Sequence, residues 1–254
     1  MAKWAAPLKI LVTGAAGLLG SALVRRGARG LDRNALDVRD HRAVERILER
    51  ERPDRVVFCA ALADVDACAT DPRARAINIE APVFMAGLVP TTLVSTNYVF
   101  DGPGPHSPAD HRRPVNAYGR QKVEAEDGVL AAGGQVVRTG WLFGPGGRNF
   151  PSRVGELLRA GEVRALAGWP VQPTWADDLA AALMQSTPGI SHAIGQGETT
   201  WFDFAKRAEV LLGLEGRVRS VEALDIGPRP SDARLSPATL PSWEVRLPEL
   251  LETP

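Results

Sequence analysis

The apolar run Leu8-Lys9-Ile10-Leu11-Val12, closing on Gly14-Ala15-Ala16-Gly17-Leu18-Leu19-Gly20, constrains the fold of this chain more than any other stretch. A short apolar segment that ends in spaced glycines and continues with helical spacing to Arg26 reads as a buried parallel strand, a tight turn and a helix. Glycines there allow the sharp turn, a close backbone approach to a pyrophosphate, and close helix–strand packing. The helix N-terminus adds free N–H groups and partial positive charge for the phosphates. Gly14, Ala16, Gly17, Leu18, Leu19 and Gly20 are therefore the expected dinucleotide contacts, at a spacing one residue wider than the common fingerprint. Ile10–Val24, preceded by Lys3 and Lys9, also resembles the core of a secretory signal, but the three spaced glycines and Thr13 are foreign to one. The stretch is also shorter than the roughly 20 residues a bilayer requires.

Beyond this unit, strands and helices alternate. Asp40 is placed to cap a helix with Val44, Ile47 and Leu48 on its apolar stripe. Strands are expected at Ala28–Leu31 (unusually compressed), Arg55–Cys59, Thr92–Ser95 and Gln135–Arg138, and helices after Asp71-Pro72 and from about Val115 to Leu130. This pattern predicts an α/β fold with a doubly wound parallel sheet. Between them, Asn97–Ala117 is a Pro-rich loop of a length that is usually functional. Past Gly144 the elements shorten: Phe150–Arg159, Trp175–Gln185 (capped near Asp177) and Phe202–Leu212. The expected division is a dinucleotide-binding domain over 1–144 and a smaller lobe over 145–254, with some of its segments returning to the sheet domain. Thirty basic and thirty acidic residues cancel, leaving no positive field for a nucleic-acid backbone. Cys59 and Cys68 make neither a disulfide framework nor a zinc pattern, so a reducing, cytoplasmic setting is expected.

Three groups carry chemistry. An acid about 20 residues past the first glycine suits a ribose 2′-hydroxyl, and an arginine suits a 2′-phosphate. Asp32 and Arg33 stand side by side there and leave NAD(H) and NADP(H) equally open. Asp37-Val38 is placed either to meet the adenine edge or to make a turn. Tyr118 and Lys122, four apart on a helix, share a face. An ammonium beside a phenol favours its ionisation, and such a tyrosine can protonate a carbonyl oxygen as hydride reaches the carbon. Ser95 or Thr96, at the end of a strand where open sheets hold ligands, offers a further hydroxyl.

Together, Gly14–Gly20, Ser95-Thr96-Asn97-Tyr98-Val99-Phe100-Asp101-Gly102 and Asn116–Lys122 resemble the extended short-chain dehydrogenase/reductases, and within them the dTDP-4-dehydrorhamnose reductase group. Arg138–Gly144, Pro173–Ala180, Arg229-Pro230 and Arg234-Leu235 extend the resemblance over nearly the whole chain. It implies a Rossmann-type domain with a small C-terminal α/β substrate lobe. The implied activity is NAD(P)H-dependent reduction of a 4-keto sugar on a nucleoside diphosphate. By position, Tyr118 is then the proton donor, Lys122 its activator and ribose clamp, and Thr96 the partner of the reacting oxygen. Ala60, Ala61, Ala63, Asn78 and Ser95 join the cofactor side. Asn97, Val99, Phe100, Trp141, Trp175 and Arg234 join the substrate side, with Arg234 as a phosphate fork.

The chain departs from that group in two places. Asn97 stands where many members carry Asp. Ala22 stands where some carry a magnesium-binding glutamate, so no metal site is expected. His41, His106, His111 and His192 show no ligand spacing. A second reading within the superfamily is an epimerase or dehydratase, although Thr96-Asn97 offers no carboxylate for the latter. A reading of another class is a non-catalytic nucleotide-binding regulatory subunit. The expected partner is a small nucleotide sugar, with no nucleic acid, no membrane and a homodimer as an option.

Overall fold

A computed structural model describes residues 8–185, 189–223 and 226–252; Lys3 lies outside them. Its frame is a parallel sheet of six strands: β1 (Ile10–Thr13), β2 (Arg29–Leu31), β3 (Arg55–Phe58), β4 (Thr91–Thr96), β5 (Gln135–Thr139) and β9 (Ile190–His192). Their order is β2-β1-β3-β4-β5-β9. The chain runs outward to one side from β1 to β2, and to the other from β3 onward. That reversal opens a crevice at the carboxyl ends of β1 and β3, where α/β sheets bind ligands.

Every residue of β1 and β3 is buried, because helices cover both faces of the sheet. Leu11, Val56, Phe58, Leu93 and Val136 pack on one face against Val44 of α2 (His41–Glu51), Met85 of α3 (Ala81–Ala86), and Ala125 and Val129 of α4 (Ala117–Ala131). Ile10, Val12, Val57 and Val137 face the other way, onto Leu19 and Leu23 of α1 (Leu18–Arg25) and Leu179 and Leu183 of α6 (Ala176–Leu183). Each such side chain contributes about 1.5–3 kcal/mol of transfer free energy.

The caps set the helix boundaries. Asp40 accepts from the Ala43 N–H (3.0 Å) and Asn116 from the Gly119 N–H (2.8 Å), each silencing an orphan donor. Asp177 does not cap α6. Trp175 holds that position, and Asp177 instead grips Arg25 of α1 at 3.0 and 3.1 Å, tying the two helices. Buried Arg55 caps the other end of α6, donating to the carbonyls of Leu183, Met184 and Gln185.

The first strand starts two residues later than its apolar run and ends on Thr13. The helix after Asp71-Pro72 is not uniform: a π turn spans Ala76–Glu80 before α3 begins.

The second half of the chain divides between two cores. α6 and β9 complete the sheet domain, as the register Arg138↔His192 shows. α5 (Phe150–Ala160), α7 (Trp201–Leu212) and α8 (Trp243–Glu252) surround β7 (Val163–Leu166), which pairs in parallel with β10 (Val218–Val221). Phe143, Val154, Leu158, Trp175, Phe204, Trp243 and Leu247 form the core of this lobe. Two two-residue strands, β6 (Leu142–Phe143) and β8 (Thr174–Trp175), join it to the sheet.

Candidate active site

The crevice beyond β1 and β3 has a cavity volume of about 300 Å³. Gly14, Ala16 and Gly17 form its floor, Asp32, Arg33, Asp37 and Val38 one wall, and Ala60 and Ala61 the other. The glycines are sterically required. A Cβ on Gly20 would lie 2.2 Å from the Gly14 carbonyl oxygen, and one on Gly14 would lie 2.9 Å from the Ala60 backbone. Gly14 also has φ +70°, which favours glycine. The Thr13 hydroxyl accepts from the Ala60 N–H at 3.2 Å and pins the second wall to the first strand. Exposed Gly17, with no side-chain cap on α1, leaves helix N–H groups free for an anion. This cradle fits a dinucleotide.

Sequence reading missed several residues of the same walls: Leu36, Arg39, Cys59, Leu62, Arg73 and Ile77. Arg39 is held bidentate by Asp37, and Arg73 by Asp71. The repeated Asp-x-Arg spacing was the available signal. Arg39 lowers the Asp37 carboxyl to about 2 through their hydrogen bonds. The Asp32 carboxylate accepts from the Asn34 and Ala35 N–H groups at 3.0 and 2.9 Å, which commits one of its oxygens to the turn.

At the end of β4, the catalytic candidates converge. The Thr96 hydroxyl accepts from the Tyr98 N–H at 3.2 Å and lies against the Tyr118 phenol. The Lys122 ammonium, 3% exposed, donates to the Val94 carbonyl at 2.9 Å. Gly119 makes this packing possible, since a Cβ there would meet the Tyr98 carbonyl at 2.2 Å. Burial raises the Tyr118 phenol above its ordinary value, with the Thr96 hydroxyl pulling the other way. Burial also lowers Lys122 to about 8, with Glu126 opposing. Burial outweighs any downward pull from the lysine, so the phenol is shifted upward on balance.

Other expected residues lie elsewhere. Ser95 faces away from Thr96, as alternation along a strand requires, and donates to buried Glu126 at 2.5 Å. It is not open to a cofactor. Val99 and Phe100 are fully buried. Phe100 stacks on His106 (centroids 4.6 Å apart) beneath the Arg138 guanidinium, so neither residue offers a substrate any surface. Trp175, 3% exposed, packs edge-on against Phe143 and is a core residue, not a platform. Leu19 is likewise core. Asn78, 1% exposed, accepts from the Leu62 N–H and donates to the Leu62 carbonyl and to Gln121. It shapes the cofactor-side loop from behind. Ala63 is exposed, one residue beyond that anchored Leu62.

Arg234 is no free phosphate fork, because Asp232 and Glu198 already fill it and raise its pKa. Asn97 donates to the Ala233 carbonyl at 3.0 Å. An ionised Asp lacks that donor, which gives the departure at Asn97 a physical reason. Sequence reading also missed that the segment around Gly227–Arg234 is laced over the site. Arg229 grips Asp66 bidentate at 2.8 and 3.0 Å and meets Tyr98; Ser231 binds Asp101. Trp141 remains a half-buried ring beside Trp201 and Phe150, at φ +41°, a conformation rare for a bulky residue and frequent at functional sites. Among the described residues no cluster of His, Cys, Asp or Glu could hold a metal ion, and no helix is long and apolar enough to cross a membrane.

A six-stranded parallel sheet with a glycine-floored crevice, and a Tyr/Lys helix against a hydroxyl-bearing strand end, define an extended short-chain dehydrogenase/reductase, a class built around a nicotinamide cofactor. Within that class the chain belongs to the family described as the RmlD substrate binding domain, whose model matches residues 8–247. It is 38% identical to a probable dTDP-4,6-dihydroxy-2-methyloxan-3-one 4-ketoreductase of Streptomyces antibioticus, over 94% of this chain and 86% of that one. It is also 38% identical to a dTDP-4-dehydrorhamnose reductase of Streptomyces griseus, over 92% and 84% respectively. A crystal structure of dTDP-4-dehydrorhamnose reductase from Bacillus anthracis in complex with NADP superposes with a TM-score of 0.89 at 26% identity. That match covers 97% of this chain and all of the other.

Proposed function

We propose that this protein uses NAD(P)H to reduce a 4-keto-6-deoxyhexose carried on a nucleoside diphosphate. The observation that carries the reading is the meeting of the Thr96 hydroxyl and the Tyr118 phenol at the end of β4, with the buried Lys122 one helical turn behind. The names of the relatives support the substrate class.

The bound nicotinamide supplies hydride to the carbonyl carbon. Thr96 and Tyr118 donate hydrogen bonds to the carbonyl oxygen and so stabilise the charge that grows on it. Burial holds the proton on Tyr118 until the oxygen becomes basic enough to take it, which suits an acid working in the direction of reduction. The Lys122 ammonium stabilises the phenolate left behind and presents its remaining protons to the ribose of the cofactor. Gly14, Ala16, Gly17, Leu18 and Gly20 cradle the pyrophosphate at the helix N-terminus, Gly17 by close backbone approach because its own N–H is bonded to the Gly14 carbonyl. Asp32, Arg33, Asp37, Val38, Ala60 and Ala61 enclose the adenosine. Trp141 and Asn97 border the sugar, and Arg234 reaches a phosphate only by releasing Glu198.

The test is a coupled assay with NADPH or NADH and a dTDP-4-keto-6-deoxyhexose, following loss of the reduced nicotinamide absorbance. Stoichiometric loss is expected. Interconversion of sugars without net loss would identify an epimerase instead, and no turnover on any keto sugar would overturn the reading.

A further inference from the structure

Tyr118, Lys122 and Glu126 follow one another at intervals of four along α4 and therefore share one face of the helix. The first two belong to the proposed reaction. The third is a carboxylate with no exposed surface at all. A buried charge is expensive unless each of its lone pairs is met, and here they are. Oε1 accepts from the Ser95 hydroxyl (2.5 Å) and from Arg138 Nε (2.9 Å). Oε2 accepts from an Arg138 guanidinium N–H (2.7 Å) and from Arg112 (3.2 Å).

This cluster touches the catalytic candidates in two ways. Mechanically, Ser95 follows Val94, whose carbonyl receives the Lys122 ammonium, so the bond to Glu126 fixes the strand where the lysine docks. Electrostatically, Lys122 is buried, and no carboxylate lies within 4.0 Å of it among the described residues. The groups acting on it are Glu126 from its own helix and the thiols of Cys59 and Cys68 from the segments after β3. Burial keeps both thiols protonated, Cys59 at about 12. That leaves Glu126 as the standing negative charge. Around Glu126 itself lie Arg138 from β5, Arg112 from the loop before α4 (shared with Asp127), and His192 from β9, which burial keeps neutral above about 4.

We propose that Glu126 is a positioning residue of the reaction: it anchors the end of β4 through Ser95 and supplies the counter-charge that holds Lys122 as an ammonium. Without it, burial favours the neutral amine, which can neither stabilise a phenolate nor offer its full set of protons to a ribose. The inference rests on the reading of Lys122 given above, but its test does not depend on turnover.

The lysines of the chain are Lys3, Lys9, Lys122 and Lys206, few enough to resolve by NMR after labelling at the ε-carbon. The cofactor-free protein is titrated from neutral to strongly alkaline pH. In the wild type Lys122 should titrate near the value of about 8 that burial imposes. In Glu126→Gln the Lys122 midpoint should fall by about one further pH unit, with Lys9 unmoved. The alkaline limb of the pH–rate profile for keto-sugar reduction should move down by the same amount. Glu126→Gln leaves Arg138 unpaired in the interior and so risks misfolding. The double variant Glu126→Gln/Arg138→Gln removes both charges and is expected to show a smaller downward shift, since loss of the Arg138 charge offsets part of the loss of the carboxylate. A Lys122 midpoint at the wild-type value, in either variant with native near-UV circular dichroism, would overturn the proposal. A shifted midpoint in a protein that turns over no keto sugar would support the role of Glu126 and remove the functional reading alone.

Discussion

Replacing Arg33 with alanine separates the two nicotinamide cofactors. Arg33 lines the adenosine side of the crevice beside Asp32, Arg39 and Arg73. Arg39 and Arg73 are each spoken for by a bidentate carboxylate, Asp37 and Asp71. Arg33 is exposed and feels Asp37 only through space, so its guanidinium is the one in the wall with the least to release. A hydrogen bond from a guanidinium to a phosphate contributes about 1.5–3 kcal/mol in a protected setting. Exposure reduces that to roughly 1–2 kcal/mol. Arg33→Ala should therefore weaken NADPH by about 5- to 30-fold. NADH lacks the 2′-phosphate, so its affinity should change by less than about twofold. Arg73→Ala should have the smaller effect on NADPH, because Asp71 must surrender its partner first. Titration of nicotinamide fluorescence with each cofactor measures these constants. Equal weakening of NADH and NADPH by Arg33→Ala would refute the reasoning, since it would show that the side chain supports the wall and not the phosphate.

Three further outcomes are expected. Tyr118→Phe should lower kcat by about 10²- to 10⁴-fold while leaving the Kd for NADPH nearly unchanged; a wild-type kcat would exclude the phenol as proton donor. Gly20→Ala pushes a Cβ into the Gly14 carbonyl, so the turn must shift. It should cost about 1–3 kcal/mol in urea unfolding and at least tenfold in cofactor affinity by fluorescence, and wild-type affinity would refute the steric account. His192 is lowered from 6.5 to about 4 by burial, so the unfolded chain binds its proton first on acidification. The stability this group contributes is whole above pH 6.5 and is lost progressively between 6.5 and 4, reaching about 3 kcal/mol. His192→Gln should flatten that limb of a plot of Tm against pH; an unchanged slope would assign it to another group.

What the sequence disclosed was local. The strand–turn–helix of the glycine motif, the caps at Asp40 and Asn116 and the shared face of Tyr118 and Lys122 each depend on residues within one or two turns of one another. The failures depend on partners far along the chain. Ser95 and Thr96 carry the same chemical signal, and only Glu126, 31 residues past Ser95, decides which hydroxyl is turned inward. Asn97 stood out as a departure, but the carbonyl it serves is at Ala233. Trp141 and Trp175 are equivalent as letters; one takes a left-handed backbone and stays half-buried against the lobe, and the other enters its core. β7 and β10 pair in parallel from segments more than fifty residues apart, and four residues each are too few to carry a period that would announce the partner. The lobe thus had to be inferred from resemblance, whereas the sheet domain could be read from its pattern.

The π turn at Ala76–Glu80 has a consequence for how the crevice tolerates change. It accommodates one residue more than an α-helix of the same rise, and Asn78, whose bonds moor Leu62 and Gln121, sits at its centre. Deleting a single residue there would return the helix to regular winding with both flanks in place, but would remove the bulge that aims Asn78 at Leu62 and Gln121. Leu62 would lose its anchor in the cofactor wall while Arg73 and α3 kept their places. The length of this stretch, as much as the identity of Asn78, therefore shapes the wall of the crevice.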